Sequence, residues 1–191
     1  MDADFSIELG ADDPVLDFPW SDPSGKPAFV DLKRHPEHIT QVEEAQRFPE
    51  LANFLRSMNS LQSAFESAKS DAWATTDLDT AEDVFHASHK FASYVDLVFS
   101  GIDRRRDYLL HKNLAGKWAE LLRRAPEIAA SAEICIRRCF LVASDELAEG
   151  FYFTLYVNGY GSDQAMAQKN WAIGLNLAGN AILQLSASRE F

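Results

Sequence analysis

Residues 151–160 read FYFTLYVNGY, and residues 91–100 read FASYVDLVFS. Along much of both stretches the apolar side chains recur at every second residue, which is the pattern of a β-strand with one buried face. Their aromatic and β-branched side chains favour the same structure. We therefore predict two strands, each with one face in the core, including Phe91 and Phe153, and a second face that carries polar and aromatic groups.

Further strands and helices extend this pattern into two similar units. Residues 65–75 and 134–142 are predicted strands, and apolar residues at helical spacing cover residues 103–125 and 162–186. The predicted order is strand, strand, helix, twice over. Adjacent strands of this kind pair antiparallel, and amphipathic helices bury one face on a sheet. The sequence thus predicts an α+β fold with an antiparallel sheet of four or five strands and helices packed mainly on one face.

Repeated letters support the hypothesis that the two units arose by internal duplication. Four residues of the first unit recur at a constant spacing of 62 residues in the second: Phe91, Tyr94, Val95 and Asp96 correspond to Phe153, Tyr156, Val157 and Asn158. The letters Asn-Leu-Ala-Gly occur at residues 113–116 and again at 176–179. Both matches lie at equivalent depth in their units, as a duplication would place them.

The N-terminal 36 residues differ in composition from the rest of the chain. Five of the seven prolines lie before residue 37, and the first twenty residues hold six acidic side chains and no Lys or Arg. Because proline fixes φ and removes a backbone donor, we expect an extended segment with at most a short strand near residues 28–32. We predict that this acidic segment, residues 1–36, packs on a single α+β domain formed by residues 37–191.

A basic run at a predicted helix start suggests what this segment contacts. Arg104–Arg106 follow Asp103, and cations at this end of a helix oppose its dipole. We therefore expect the run to pair with acidic groups of the N-terminal segment, such as Asp12, Asp13 or Asp17. Prolines also mark two helix starts, at Pro36 and at Pro49.

Composition excludes several classes of protein. The chain has 191 residues, is 47 % hydrophobic and carries a formal charge of −11, so it is too apolar to be disordered and long enough for one substantial core. An acidic chain without a clustered basic face is not expected to bind nucleic acid or an anionic membrane. No apolar run reaches 18 residues, and no signal-peptide pattern is present. We expect a cytoplasmic protein in which Cys135 and Cys139 are buried, reduced thiols.

Alternation leaves a second sheet face that is too polar for a core and rich in aromatic rings. We name its seven candidate ligand-binding residues the polar aromatic face: Asp71, Trp73, Tyr94, Asp96, Arg137, Tyr156 and Asn158. Tyr, Trp and Arg are enriched where proteins bind partners. The face is interpreted as a homodimer interface, as a surface covered by the N-terminal segment, or as a cleft for a small molecule. In a cleft, Asp71 and Asp96 are candidates for acid–base chemistry.

Histidines offer the main metal-site candidates in the sequence. His35 and His38 are three residues apart, as are His86 and His89, with Glu37 or Asp83 as an oxygen ligand beside each pair. Neither pair belongs to an established metal-binding pattern. We therefore predict no metal and no other cofactor, with His86 and His89 as the metal-binding alternative.

No nucleophile motif and no phosphate-binding loop occurs in the chain. The sequence therefore favours a non-enzymatic binding or assembly module, most simply a homodimer through the polar aromatic face. The alternative is a small-molecule-binding protein or an acid–base enzyme that uses the same face as a cleft, with or without a metal ion.

Overall fold

The structure is a computed structural model that describes residues 1–21, 29–78, 85–143 and 146–187. It has an α+β fold in which helices pack against a six-stranded mixed sheet. The strands are β1 (Asp2–Glu8), β2 (Val15–Phe18), β3 (Phe65–Thr75), β4 (His89–Phe99), β5 (Ala130–Ala143) and β6 (Glu146–Gly161). The helices are a 3₁₀ helix (Pro36–Gln41), α1 (Glu43–Arg47), α2 (Pro49–Met58), α3 (Ile102–Arg106), α4 (Tyr108–Leu122) and α5 (Gln164–Ala187).

The strand order is β1-β5-β6-β4-β3, and β2 also pairs with β5. The pairs β3/β4, β4/β6 and β5/β6 are antiparallel, whereas β1 and β2 run parallel to β5. The mostly antiparallel α+β prediction is confirmed. Tyr94 and Tyr156, which correspond in the proposed repeat, face each other across β4 and β6. The duplication itself stays a prediction.

The sheet has six strands rather than four or five because the N-terminal segment contributes two. The predicted strand was misplaced, since among the described residues of that region 29–32 form none, while residues 2–8 and 15–18 do. Side chains of these two strands alternate between buried and exposed: Ala3, Leu16 and Phe18 are buried, and the residues next to them are largely exposed. Acidic residues and prolines, which strands disfavour, conceal this pattern in the sequence.

The helix predicted over residues 103–125 is divided into α3 and α4. Asp107 between them has an extended backbone, and its carboxylate accepts a hydrogen bond of 2.9 Å from the backbone N–H of Leu110. This is the geometry of an N-cap, so Asp107 starts a new helix within the predicted one. The expected helix starts at Pro36 and Pro49 are both confirmed.

Helices α2, α4 and α5 cover the first face of the sheet. Two tryptophans lie fully buried beneath them, and each indole N–H has a partner: Trp118 donates to the carbonyl of Ala178 at 3.0 Å and Trp171 to the hydroxyl of Ser93 at 2.7 Å. Helix α5 lies so close to β6 that a Cβ on Gly159 would be 2.0 Å from the backbone nitrogen of Trp171. Only glycine fits there, and it lets the helix pack directly on the strand.

No helix among the described residues is long and apolar enough to cross a membrane.

The described part of the N-terminal segment packs on the second face of the sheet. Leu16 and Phe18 of β2 pack with Cys139 and other apolar side chains of that face. The chain then reaches the opposite edge, where Trp20 donates from its indole nitrogen to the carbonyl of Ala68 in β3 at 2.9 Å. Tyr94, Asp96 and Tyr156 of the polar aromatic face are not members of this apolar cluster.

The expected contact between acidic and basic runs is wrong. Within the described parts of the chain, no ion pair joins Asp12, Asp13 or Asp17 to Arg104–Arg106. Arg105 forms an ion pair with Glu66, and its guanidinium lies 5.1 Å from the ring centroid of Phe18. The basic run thus contacts the N-terminal segment through an aromatic ring, a cation–π contact, rather than through a carboxylate.

Neighbouring residues of β2 provide a matched test of the cover. Leu16 is 1 % exposed and Val15 is 39 % exposed. We expect Leu16→Ala to lower the free energy of unfolding by about 2–4 kcal/mol because it leaves a cavity in a buried region. We expect Val15→Ala to lower it by less than about 1 kcal/mol. Urea denaturation measures both changes, and equal small effects would contradict the packing of this segment on the sheet.

Candidate functional site

The strand register places the polar aromatic face in adjacent rows across the sheet. Tyr94 lies opposite Asp71 on one side and Tyr156 on the other. The ring centroids of Tyr94 and Tyr156 are 6.2 Å apart. In the next row Asp96 lies opposite Thr154, and Arg137 belongs to the row beyond. The fold therefore brings together the central members of the predicted site.

Asp96 is the most deeply buried carboxylate of this face, with 6 % of its surface exposed. Its Oδ1 accepts a hydrogen bond of 2.6 Å from the hydroxyl of Thr154. That hydroxyl in turn accepts one of 2.9 Å from Nη1 of Arg137. No residue in the described ranges donates a hydrogen bond to Oδ2 of Asp96. Oδ2 is not among the fully buried side-chain atoms that lack a partner, so this oxygen keeps contact with solvent.

Burial also changes the acidity of this site. Desolvation raises the pKa of Asp96 to about 6, although the Thr154 hydrogen bond and the charges of Lys69 and Arg137 oppose this shift. Desolvation, together with the nearby carboxylates of Asp96 and Asp71, raises the pKa of Tyr94 to about 12. At neutral pH, Asp96 is therefore ionised at a cost to the fold, and Tyr94 keeps its proton.

Arg137 is held by groups on two other strands, β1 and β6. Its Nε donates to Oε2 of Glu8 in β1 at 2.7 Å, and its Nη1 also donates to the hydroxyl of Tyr156 at 3.2 Å. The guanidinium lies 5.6 Å from the ring centroid of Tyr156. Glu8 and Thr154 are site residues that the predicted set lacks. Alternation assigns Thr154 to this face, but Glu8 lies in a segment where the sequence predicted no strand.

The remaining candidates occupy the margins of the face. Asp71 is half-buried, accepts a hydrogen bond of 2.7 Å from the backbone of Ala72, and has no hydrogen bond to Asp96. Asn158 donates to the hydroxyl of Ser131 at 3.3 Å. Trp73 is 40 % exposed on the edge strand β3. The two carboxyl groups proposed for acid–base chemistry are therefore on neighbouring strands without a direct bond.

The metal-binding alternative gains no support from its surroundings. His86 is exposed, and Nδ1 of His89 forms a hydrogen bond of 3.0 Å with the hydroxyl of Ser88. Neither histidine belongs to a cluster of three ligand atoms among the residues that the structure describes, and Asp83 lies outside them.

A buried acceptor, two tyrosine rings and a fixed guanidinium can bind and orient a polar ligand. The uncovered Oδ2 of Asp96 can accept a hydrogen bond, and the adjacent rings can contact an apolar or cationic group. No protein-family model matches the chain, and no curated protein or solved structure shows significant similarity to it.

The raised pKa of Asp96 determines how a neutral substitution acts on stability. The folded-state pKa of about 6 exceeds the ordinary value of 3.8, so ionisation weakens the fold as pH rises from 3.8 to 6. We expect Asp96→Asn to raise the free energy of unfolding by about 1–3 kcal/mol at neutral pH and to have little effect near pH 3, where the carboxyl group is largely protonated in both states. Denaturation at the two pH values measures this difference.

Asp71→Asn is the matched control, because it removes a half-buried carboxylate from the neighbouring strand. Its effect is expected to stay below about 0.5 kcal/mol at both pH values. A loss of stability in Asp96→Asn at neutral pH would show that the ionised carboxylate stabilises the fold.

Proposed function

We propose that this protein is a non-enzymatic, cytoplasmic binding module whose polar aromatic face binds a small ligand that donates a hydrogen bond to Asp96. One observation carries the proposal: Oδ2 of Asp96, a residue that is 6 % exposed, keeps contact with solvent and has no hydrogen-bond partner among the described residues. Burying an ionised carboxylate without full compensation is costly. Such costs are characteristic of groups that serve binding or catalysis.

The surrounding groups favour a cationic ligand. The rings of Tyr94 and Tyr156 attract cations through their faces, and Asp71 and Glu133 add negative charge in the same row. Two cations near Asp96 are already engaged, since Lys69 lies 4.8 Å from the ring centroid of Trp20 and Arg137 is paired with Glu8. An alkylammonium or guanidinium group satisfies both the unpartnered oxygen and the local charge.

A titration with small cations tests this proposal. We expect methylguanidinium chloride to shift the backbone amide NMR signals of Tyr94, Asp96 and Tyr156, and sodium chloride at equal ionic strength to leave them unchanged. Asp96→Asn is expected to weaken the response at least tenfold, because a charge-assisted hydrogen bond is worth about 1.5–3 kcal/mol. Shifts of equal size in this variant, or none in the wild-type protein, would contradict the proposal.

The homodimer is a second candidate because of one exposed side chain. Trp73 is 40 % exposed, and Tyr94 and Tyr156 are half-exposed beside it, which is typical of association surfaces. In a two-fold dimer through this face, however, Asp71 and Glu133 of both copies would lie close together and repel. Acid–base catalysis is the weaker alternative, because no hydrogen bond couples Asp71 to Asp96.

Sedimentation at micromolar concentration separates the two candidates. The ligand-binding proposal predicts a monomer at low salt, since the acidic rim opposes self-association through this face. A dimer that Trp73→Ala dissociates would establish the assembly function instead. The exposed Leu109→Ala substitution on α4 is the control, because it removes an apolar side chain elsewhere on the surface.

A further inference from the structure

A cluster of metal-ligand side chains lies where the N-terminal segment meets the helices, apart from the polar aromatic face. His35 precedes the 3₁₀ helix, and Glu37 and His38 belong to its first turn. Nδ1 of His35 is 3.3 Å and Nε2 of His38 is 3.8 Å from the same carboxylate oxygen of Glu37. All three ligand atoms lie within 4.8 Å of one another.

The 3₁₀ helix brings these side chains together. A 3₁₀ helix has three residues per turn, so side chains three residues apart lie above one another. Accordingly, the imidazole rings of His35 and His38 stack with centroids 4.9 Å apart and an interplanar angle of 21°. Pro36 occupies the first helical position, and the N–H of His38 donates to the carbonyl of His35 at 2.9 Å. The turn is thus closed and preorganised around the cluster.

Two imidazoles and one carboxylate are a donor set that Zn²⁺ accepts, with a fourth position left for water or another ligand. Ligand atoms about 2.1 Å from a tetrahedral ion are about 3.4 Å from each other. The two distances to Glu37, 3.3 and 3.8 Å, need only small side-chain movements to reach this value. The cluster lies at the surface, so an ion can enter without opening the fold.

We propose that His35, Glu37 and His38 form a binding site for one divalent transition-metal ion, with Zn²⁺ as its occupant. The ion replaces the contacts that both imidazoles make with the carboxylate. This assignment differs from the sequence-based expectation of no metal, and from the His86 and His89 alternative. It does not depend on the function proposed for the polar aromatic face.

Calorimetric titration of the full chain with Zn²⁺ tests the site, together with ¹H–¹⁵N NMR of the imidazole rings. We expect one ion per chain and shifts of the His35 and His38 ring nitrogens, while those of His86 and His89 stay unchanged. The double variant His35→Ala/His38→Ala is expected to bind at least tenfold more weakly, because it removes two of three ligands. Glu37→Gln is expected to weaken binding while leaving both histidines in place.

The matched control is His86→Ala/His89→Ala, which removes the other histidine pair and is expected to bind Zn²⁺ as the wild-type protein does. Two results would overturn the proposal: no saturable binding by the wild-type chain, or an equal loss of affinity in both double variants. Backbone amide spectra of each variant, unchanged outside residues 31–41, exclude misfolding as the cause of a loss.

Discussion

The pairing of β6 with both β4 and β5 is the constraint on which the other features depend. Side chains alternate along a strand, so one register places Phe153 and Leu155 under the helices and Thr154 and Tyr156 on the opposite face. A slip of one residue would exchange these sets and bury the polar one. Helices α2, α4 and α5 cover the first face. The N-terminal segment packs on the second face.

That segment has two roles in the structure. Through Leu16 and Phe18 it packs on apolar side chains of the second face, among them Cys139. Through Glu8 it supplies the carboxylate that pairs with Arg137, and Arg137 in turn contacts Thr154 beside Asp96. Strand β1 thus completes the polar network that leads to Asp96. This network is expected to fix the orientation of the Asp96 carboxylate, because each of its members is held by another.

The sequence predicts which side chains lie on each face of the sheet better than it predicts which strands lie side by side. Strand β3 has the predicted bounds, and alternation correctly assigns Phe91 and Phe153 to the core and Asp96 to the opposite face. Such patterns are local. The contact between Glu8 and Arg137 joins residues 129 positions apart, and it exists only because β1 lies beside β5. No local pattern specifies that order. Likewise, the convergence of a histidine pair with its carboxylate depends on turn geometry, which spacing alone does not give.

The fold keeps a largely desolvated carboxylate at Asp96, with 6 % of the residue exposed. The most direct test is the pKa of this single group, measured by ¹³C NMR of the Asp96 carboxyl carbon across a pH titration of the intact protein. The structure predicts a midpoint of about 6, because burial opposes ionisation. A midpoint at or below the ordinary 3.8 would show that the carboxylate is solvated or fully paired, and would contradict the account.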